Sequence, residues 1–129
     1  MLRARFSMNN YNDLEIYKRA YGLTLDIYRI TGTWPSHEIF GLTSQTRRSA
    51  HSVDSNICEG ASRRSNPDCL RFMHVAYSSL RETENHLKLA KDLGYLTVDT
   101  FEDLSKRTYE LTKMINSFIK NSRAITANY

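Results

Sequence analysis

The chain has 129 residues and a net charge of +4, a length that suits one domain with a core that needs no metal or disulfide support. It contains only five glycines and two prolines, so we expect long uninterrupted elements. No apolar run is long enough to cross a bilayer, and no apolar segment follows the basic start, so neither a membrane span nor a signal peptide is predicted. These features predict a cytoplasmic protein.

Two apolar stripes characterise the first predicted helix, which should begin near Asn12 and end at Gly32. One stripe consists of Leu14, Tyr17, Tyr21, Leu25 and Tyr28; the other consists of Ile16, Ala20, Leu23, Ile27 and Ile30. A helix in a lone bundle needs only one apolar face. The second face therefore indicates burial against another surface, for which a neighbouring subunit is a candidate.

Three further helices follow from the same periodicity. The second should start at Glu38 or Gly41 and end at Ser62. Asn66 followed by Pro67 predicts the start of the third, and Gly94 is a left-handed stop after it. The fourth should start near Asp99. The predicted apolar faces are Leu42, Thr46, Ala50, Val53, Ile57 and Ala61; then Phe72, Val75, Ala76, Ser79, Leu80, Thr83, Leu87 and Ala90; then Phe101, Leu104, Thr108, Leu111, Ile115, Phe118, Ile119 and Ser122.

Short connections between four helices predict a single all-α domain, an antiparallel up-down-up-down four-helix bundle. We assign the bundle to residues 12–123, a flexible basic segment to residues 1–11 and a flexible tail to residues 124–129.

Catalytic and metal-binding patterns are weak. The three helical histidines, His51, His74 and His86, lack the inward Glu-x-x-His pairs of a di-metal bundle. Cys58 stands two turns from His51, but a Cys–His nucleophile also needs a pocket and an oxyanion hole. We therefore predict no catalytic residues, no metal, no cofactor and no enzymatic activity.

Basic residues are the candidate nucleic-acid contacts, because arginine forks suit phosphate oxygens. No acid follows Glu110 in the sequence. Cations near a helix end also simply favour its dipole, and tyrosines on helical stripes more often pack than stack on bases. The candidates are Arg47, Arg48, Arg63, Arg64, Arg71, Lys113, Lys120 and Arg123.

A polar stripe accompanies the apolar face of the second helix. Gln45, Asn56 and Glu59 recur in it, together with Arg48 and Ser52. We interpret Gln45, Asn56 and Glu59 as a structural hydrogen-bonded network that fixes register within the bundle or between subunits; a ligand-facing patch is the alternative.

Polar and apolar positions from Asn12 to Leu96 together resemble a known family. The positions are Asp13, Leu14, Tyr17, Ala20, Trp34, Pro35, Glu38, Gly41, Leu42, Gln45, Arg47, Arg48, Asn56, Ile57, Glu59, Gly60, Arg63, Ser65, Phe72, Ala76, Ser79, Leu80, Glu84, Leu87, Leu93, Gly94 and Tyr95. This series resembles the four-helix-bundle proteins encoded within intervening sequences of bacterial 23S ribosomal RNA. That family is related to the accessory variability determinant of diversity-generating retroelements. The stretch from His51 to Ser55 departs from the family's usual aliphatic-rich pattern.

The resemblance implies an antiparallel bundle that assembles as a ring-like homopentamer without enzymatic activity. For the retroelement relatives it implies a basic surface that binds nucleic acid and a partner reverse transcriptase. The resulting hypothesis is an oligomeric accessory protein that binds structured RNA or DNA. The alternative is a structural or protein-interaction scaffold without affinity for nucleic acid, and a metal- or ligand-binding bundle ranks last.

Overall fold

A computed structural model describes residues 14–127, with side chains to residue 121, and four α-helices make up most of this range. They are α1 (Glu15–Thr31), α2 (Leu42–Ala61), α3 (Asn66–Asp92) and α4 (Val98–Ala127), and a short 3-10 helix (Ser36–Glu38) precedes α2. The described residues contain no strand. The prediction of a single all-α domain with four helices is confirmed.

The core lies between the helices and follows the predicted apolar faces closely. Every residue of the predicted α2 face is buried, and so are most of those on α3 and α4. Val75 is the exception, because it is exposed, whereas Cys69 and Met73 fill the core on α3. Val75 lies two residues from Met73, about 200° away around a helix with 3.6 residues per turn, so the two cannot share a face.

The helix starts differ in detail from the predictions. Leu14 has an extended backbone, so α1 begins at Glu15 rather than at Asn12. Ser65, not Asn66, caps α3 by accepting the Asp68 N–H at 3.3 Å. Thr97, not Asp99, accepts the Thr100 N–H at 3.1 Å at the start of α4. In these two cases the capping hydroxyl lies one residue and two residues before the predicted cap, and a hydroxyl is equally suited to the role.

The predicted terminal segments fall largely outside the described part of the chain. Residues 1–11 lie outside it altogether. The helical backbone of α4 reaches Ala127, beyond the predicted bundle end at residue 123, and residues 128–129 lie outside the described range. Within that range no helix is long and apolar enough to cross a membrane.

Polar contacts between helices give their relative alignment. Between α1 and α4, Arg19 pairs with Glu110 at 3.3 Å and Asp26 pairs with Arg107 at 2.8 Å. Residues with higher numbers on α1 therefore contact residues with lower numbers on α4. The same relation holds between α2 and α3, where hydroxyl pairs join Ser49 to Thr83 at 2.7 Å and Ser52 to Ser79 at 2.8 Å. The end of α2 thus lies beside the start of α3 and the later part of α4.

Candidate nucleic-acid interface

The predicted basic residues on α2 and α3 fall into two groups. Arg47 and Arg48 lie in the second turn of α2, whereas Arg63 and Arg64 follow its last residue. From Arg48 to Ala61, the last residue of α2, the helix rises by about 20 Å. The length of α2 therefore separates Arg47 and Arg48 from the other arginines.

Phe72 organises the arginines at the corner between α2 and α3. The guanidinium carbons of Arg63 and Arg71 lie 4.6 Å and 4.5 Å from the centre of its ring. Arg63 also pairs with Glu59 at 3.0 Å, and Arg71 pairs with Asp68 at 3.3 Å. These cation–π contacts hold two arginine side chains over a fixed aromatic ring.

Lys120 of α4 adds to this corner. Lys113 and Lys120 stand two turns apart, and both are exposed. Lys120, Asn116 and Ile119 line a groove of about 470 Å³ with His74 and Tyr77 of α3. His74 lies one turn after Arg71, so Lys120 approaches the arginine group from across the groove. The side chain of Arg123 lies outside the described residues.

We call the surface made by Arg63, Arg64, Arg71 and Lys120 the basic end. Lys113 lies about 10 Å further along α4, where it lines a groove with Ile16 of α1. Arg64, Lys120 and Lys113 form no ion pair with any residue the structure describes, so their side chains can turn to an incoming phosphate at small cost. Arg63 and Arg71 lie over Phe72, and their ion pairs are exposed, a kind of pair that contributes little stability.

Arg47 has a structural role. Its Nε donates to the Thr31 hydroxyl at 2.8 Å, one terminal nitrogen donates to the Tyr28 carbonyl at 3.1 Å, and the guanidinium lies over the Tyr28 ring. The residue thereby satisfies the carbonyl end of α1. Arg48 is exposed and makes no ion pair within the described part of the chain.

The predicted polar network is present in a different form. Asn56 donates to the Ser52 carbonyl at 2.7 Å and to its hydroxyl at 3.1 Å. Ser52 in turn bonds Ser79, which links the stripe to α3. Glu59 instead pairs with Arg63, and Gln45 is exposed. Hydroxyl side chains thus join α2 to α3: Ser52 comes from the predicted polar stripe, and Ser79 and Thr83 come from the predicted apolar face of α3.

Asp54 is a buried carboxylate that the sequence did not single out. It is 2% exposed, its Oδ1 accepts from the Thr24 hydroxyl at 2.8 Å, and His51 Nδ1 lies 3.1 Å from its Oδ2. Burial raises the pKa of Asp54, while the bonds from Thr24 and His51 partly oppose that shift. The available signal was its position beside Val53 and Ile57, which places it on the inner face of α2.

The cysteines and histidines do not form a metal centre in the described residues, where no group of three or more His, Cys, Asp or Glu side chains could hold an ion. His86 bonds Glu82 at 3.2 Å, as an i,i+4 pair. Cys69 is buried, and burial raises the pKa of its thiol to about 12. That thiol stays protonated and unreactive at neutral pH.

The two stripes of α1 have different environments. Ile16, Ala20, Leu23 and Ile27 are buried in the core. On the other stripe Tyr21, Leu25 and Tyr28 are exposed by 44%, 39% and 45%. A neighbouring side chain, Phe40, is 93% exposed. Tyr28 lies under the Arg47 guanidinium, whereas Tyr21 and Leu25 leave apolar surface on α1 that the other helices of the described range do not cover.

Comparison with known proteins gives a family and a fold. The 23S rRNA-intervening sequence protein family matches residues 12–117. A crystal structure of a protein of unknown function from the S23 ribosomal protein family of Bacteroides thetaiotaomicron has a TM-score of 0.76. It is 24% identical, and the match covers 81% of this chain and 98% of that one, so the likeness concerns the fold. No curated protein matches. Because the family match spans most of the helical region, the chain belongs to the 23S rRNA-intervening sequence protein family.

Proposed function

We propose that this protein is a non-enzymatic, oligomeric accessory protein that binds structured RNA or DNA through the basic end. Its helices would form an antiparallel up-down-up-down bundle. The α1–α4 and α2–α3 contacts support this arrangement, because higher-numbered residues of one helix contact lower-numbered residues of the other. We place it in the cytoplasm. The observation that carries the proposal is the convergence of cations from α2, α3 and α4 on one end of the bundle.

Charge geometry supports nucleic acid as the partner. Arg64, Lys113 and Lys120 point to solvent without ion-pair partners in the described region, and Tyr77 lines the adjacent groove. Each lysine or arginine that neutralises a phosphate releases counterions, which favours association. A tyrosine beside the cations offers a face on which an unpaired base can stack.

The outer stripe of α1 supports self-association. Tyr21 and Leu25 present an aromatic and aliphatic surface that no other helix of the described range covers. Covering such a surface with a second copy removes apolar area from water, which is the main driving force for association. The family resemblance favours a homopentamer. Five copies with a net charge of +4 each would total about +20, enough to attract a polyanion from a distance.

Absence of catalysis is part of the proposal. Ser55 lies 3.4 Å from His51 Nε2, and His51 in turn contacts Asp54. All three residues lie on one helix, however, where backbone N–H groups are committed to helical hydrogen bonds. Without free N–H donors beside Ser55 there is no oxyanion hole for an acyl-transfer reaction.

The family's association with ribosomal RNA insertions supports structured RNA as the first probe. A reverse transcriptase is a second proposed partner, through the resemblance to the retroelement accessory proteins. A reverse transcriptase gene beside the coding sequence, or a location within ribosomal DNA, would distinguish the two settings.

A pair of charge-matched double variants tests the proposal. Lys113→Gln/Lys120→Gln removes Lys120 from the basic end and Lys113 from the same side of α4, and Lys88→Gln/Lys106→Gln removes two exposed lysines elsewhere on α3 and α4. Both variants lose the same net charge. We expect only the first to weaken binding to a structured RNA and to duplex DNA in an electrophoretic mobility shift assay. Equal weakening by both variants would mean diffuse attraction and not a site, and it would overturn the assignment of the basic end.

A further inference from the structure

A second cationic site lies away from the basic end, in a groove between the end of α1 and the first half of α2. It is lined by Tyr28, Ile39, Ser44, Arg47, Arg48 and His51 and encloses about 400 Å³. No acidic residue lines it. The volume falls within the usual range of small-ligand sites, about 300–1,000 Å³.

Hydrogen bonds from residues beneath the groove fix two of its lining side chains, Arg47 and His51. Arg47 is fixed by the Thr31 hydroxyl and the Tyr28 carbonyl, as described above. His51 is held through Nδ1 by Asp54, whose buried carboxylate is bound in turn by the Thr24 hydroxyl. A chain of hydrogen bonds from the core therefore orients the His51 ring at the surface, as supporting groups orient the first-contact residues of binding sites.

Arg48 is the one arginine of this groove that is free to act on a ligand. It is exposed and has no ion pair among the described residues, and it lies one helical turn from both Ser44 and His51. Its guanidinium can offer two parallel N–H groups to two oxygens of one anion. Tyr28 and Ile39 supply an apolar wall beside it.

We propose that this groove binds the phosphate group of a nucleotide, with Arg48 as the principal ligand, the protonated His51 ring as a second donor through Nε2 and Tyr28 with Ile39 against the nucleoside. The phosphate can belong to a free nucleoside monophosphate or to the phosphorylated end of a nucleic acid. Arg48 lies about 20 Å along the axis of α2 from Ala61, beyond which Arg63 and Arg64 follow, so this site does not depend on the basic end.

Isothermal titration of the full chain with three pairs of ligands tests the assignment. The pairs are adenosine 5′-monophosphate with adenosine, a short oligonucleotide with and without a 5′-phosphate, and inorganic phosphate with chloride. In the pair that contains the true ligand, we expect the phosphorylated compound to bind and the unphosphorylated compound not to bind. Arg48→Gln should weaken that binding roughly tenfold or more, the usual effect of losing a charged hydrogen bond.

Lys88→Gln is the control, because it removes the same charge from an exposed position on α3. Stronger binding of the monophosphate identifies a free nucleotide as the ligand, and stronger binding of the phosphorylated oligonucleotide identifies a nucleic-acid end. Equal binding of phosphorylated and unphosphorylated ligands, or an unchanged affinity in Arg48→Gln, would overturn the proposal. Loss of oligonucleotide binding in Lys113→Gln/Lys120→Gln with intact monophosphate binding would separate this site from the basic end.

Discussion

The Tyr95 hydroxyl donates a 2.8 Å hydrogen bond to Glu38 Oε2 across a separation of 57 residues. The other oxygen, Glu38 Oε1, accepts the Leu42 N–H at 3.1 Å, at the start of α2. One carboxylate therefore caps α2 and ties the α1–α2 connection to the turn that follows α3. Gly41 makes room for it, since a Cβ there would lie 2.7 Å from Glu38 Oε1.

Replacing either member of this pair should lower the melting temperature. Glu38→Ala removes the cap and the tie, whereas Tyr95→Phe removes the tie alone, so Glu38→Ala should have the larger effect, on the order of a few degrees. Thermal unfolding of both single variants and of the double variant measures this. If the decreases in melting temperature of the two single variants add up to that of the double variant, Glu38 and Tyr95 are not coupled. The hydrogen bond between them would then not be what stabilises this corner.

The ionisation of Glu38 should make the stability of the fold depend on pH. The Leu42 N–H, and then the Tyr95 hydroxyl, hold the pKa of Glu38 below its usual value of 4.5. A carboxylate whose pKa is lower in the folded state stabilises the fold at pH values above its unfolded-state pKa. That contribution is lost as the pH falls through the folded-state pKa. Glu38→Gln should therefore show a smaller loss of stability than the wild type on acidification below about pH 4.5.

The ionisation of Asp54 should change the stability of the fold with pH in the opposite direction. Because burial raises its pKa above the usual 3.8, protonation favours the folded chain, and the favourable contribution is lost as pH rises through the folded-state pKa. Asp54→Asn keeps an acceptor for Thr24 and offers an N–H to His51. We expect the variant to be more stable than the wild type at pH 7 and to lose this advantage near pH 4 in urea unfolding. A variant less stable than the wild type at pH 7 would show that the ionised carboxylate is favoured.

Two helical glycines should respond differently to alanine. At Gly60 a Cβ would lie 3.2 Å from the Cys69 carbonyl oxygen, from Met73 Cε and from Phe72 Cβ. Gly60→Ala should therefore reduce the free energy of unfolding by about 1–3 kcal/mol through overpacking. At Gly22 no atom lies within 4 Å of such a Cβ. Gly22→Ala should stabilise the chain by about 0.5–1 kcal/mol, because alanine has the higher helix propensity. Equal effects in urea unfolding would contradict the close packing of α2 on α3.

The exposed stripe of α1 should govern oligomer size. Leu25→Glu places a charge on this stripe, and we expect it to reduce the molar mass measured by light scattering after size-exclusion chromatography, while the helical circular dichroism is retained. Leu89→Glu is the matched control, because Leu89 is also exposed but lies on α3. An unchanged mass for Leu25→Glu, or a loss of mass in the control alone, would place the interface elsewhere.

The helices and most of the core could be predicted from the sequence, because a period of 3.6 residues is set locally. Leu42, Val53 and Ile57 on α2 were assigned correctly for that reason. The caps were missed by one or two residues, since Ser65 and Asn66 are both good caps and only the backbone decides between them.

The candidate site was only partly predictable, because helix packing decides which distant residues meet. The basic residues were identified as a group, but their division between two places depends on the length of α2. The approach of Lys120 to His74 and Tyr77 depends on the packing of α4 against α3. Asp54 was missed because a carboxylate is ordinarily exposed, and its burial requires the Thr24 hydroxyl on α1.

Salt dependence of nucleic-acid binding tests the central claim most directly. Phosphate contacts from Arg64, Lys113 and Lys120 would give a slope of about −2.7 per subunit in a plot of log affinity against log salt on duplex DNA, and a somewhat shallower slope on single strands. We predict that the wild-type protein binds structured RNA and duplex DNA at low salt with a steep slope of this kind. No binding at low salt, or an affinity that does not change with salt, would contradict the account and favour a scaffold that recognises proteins.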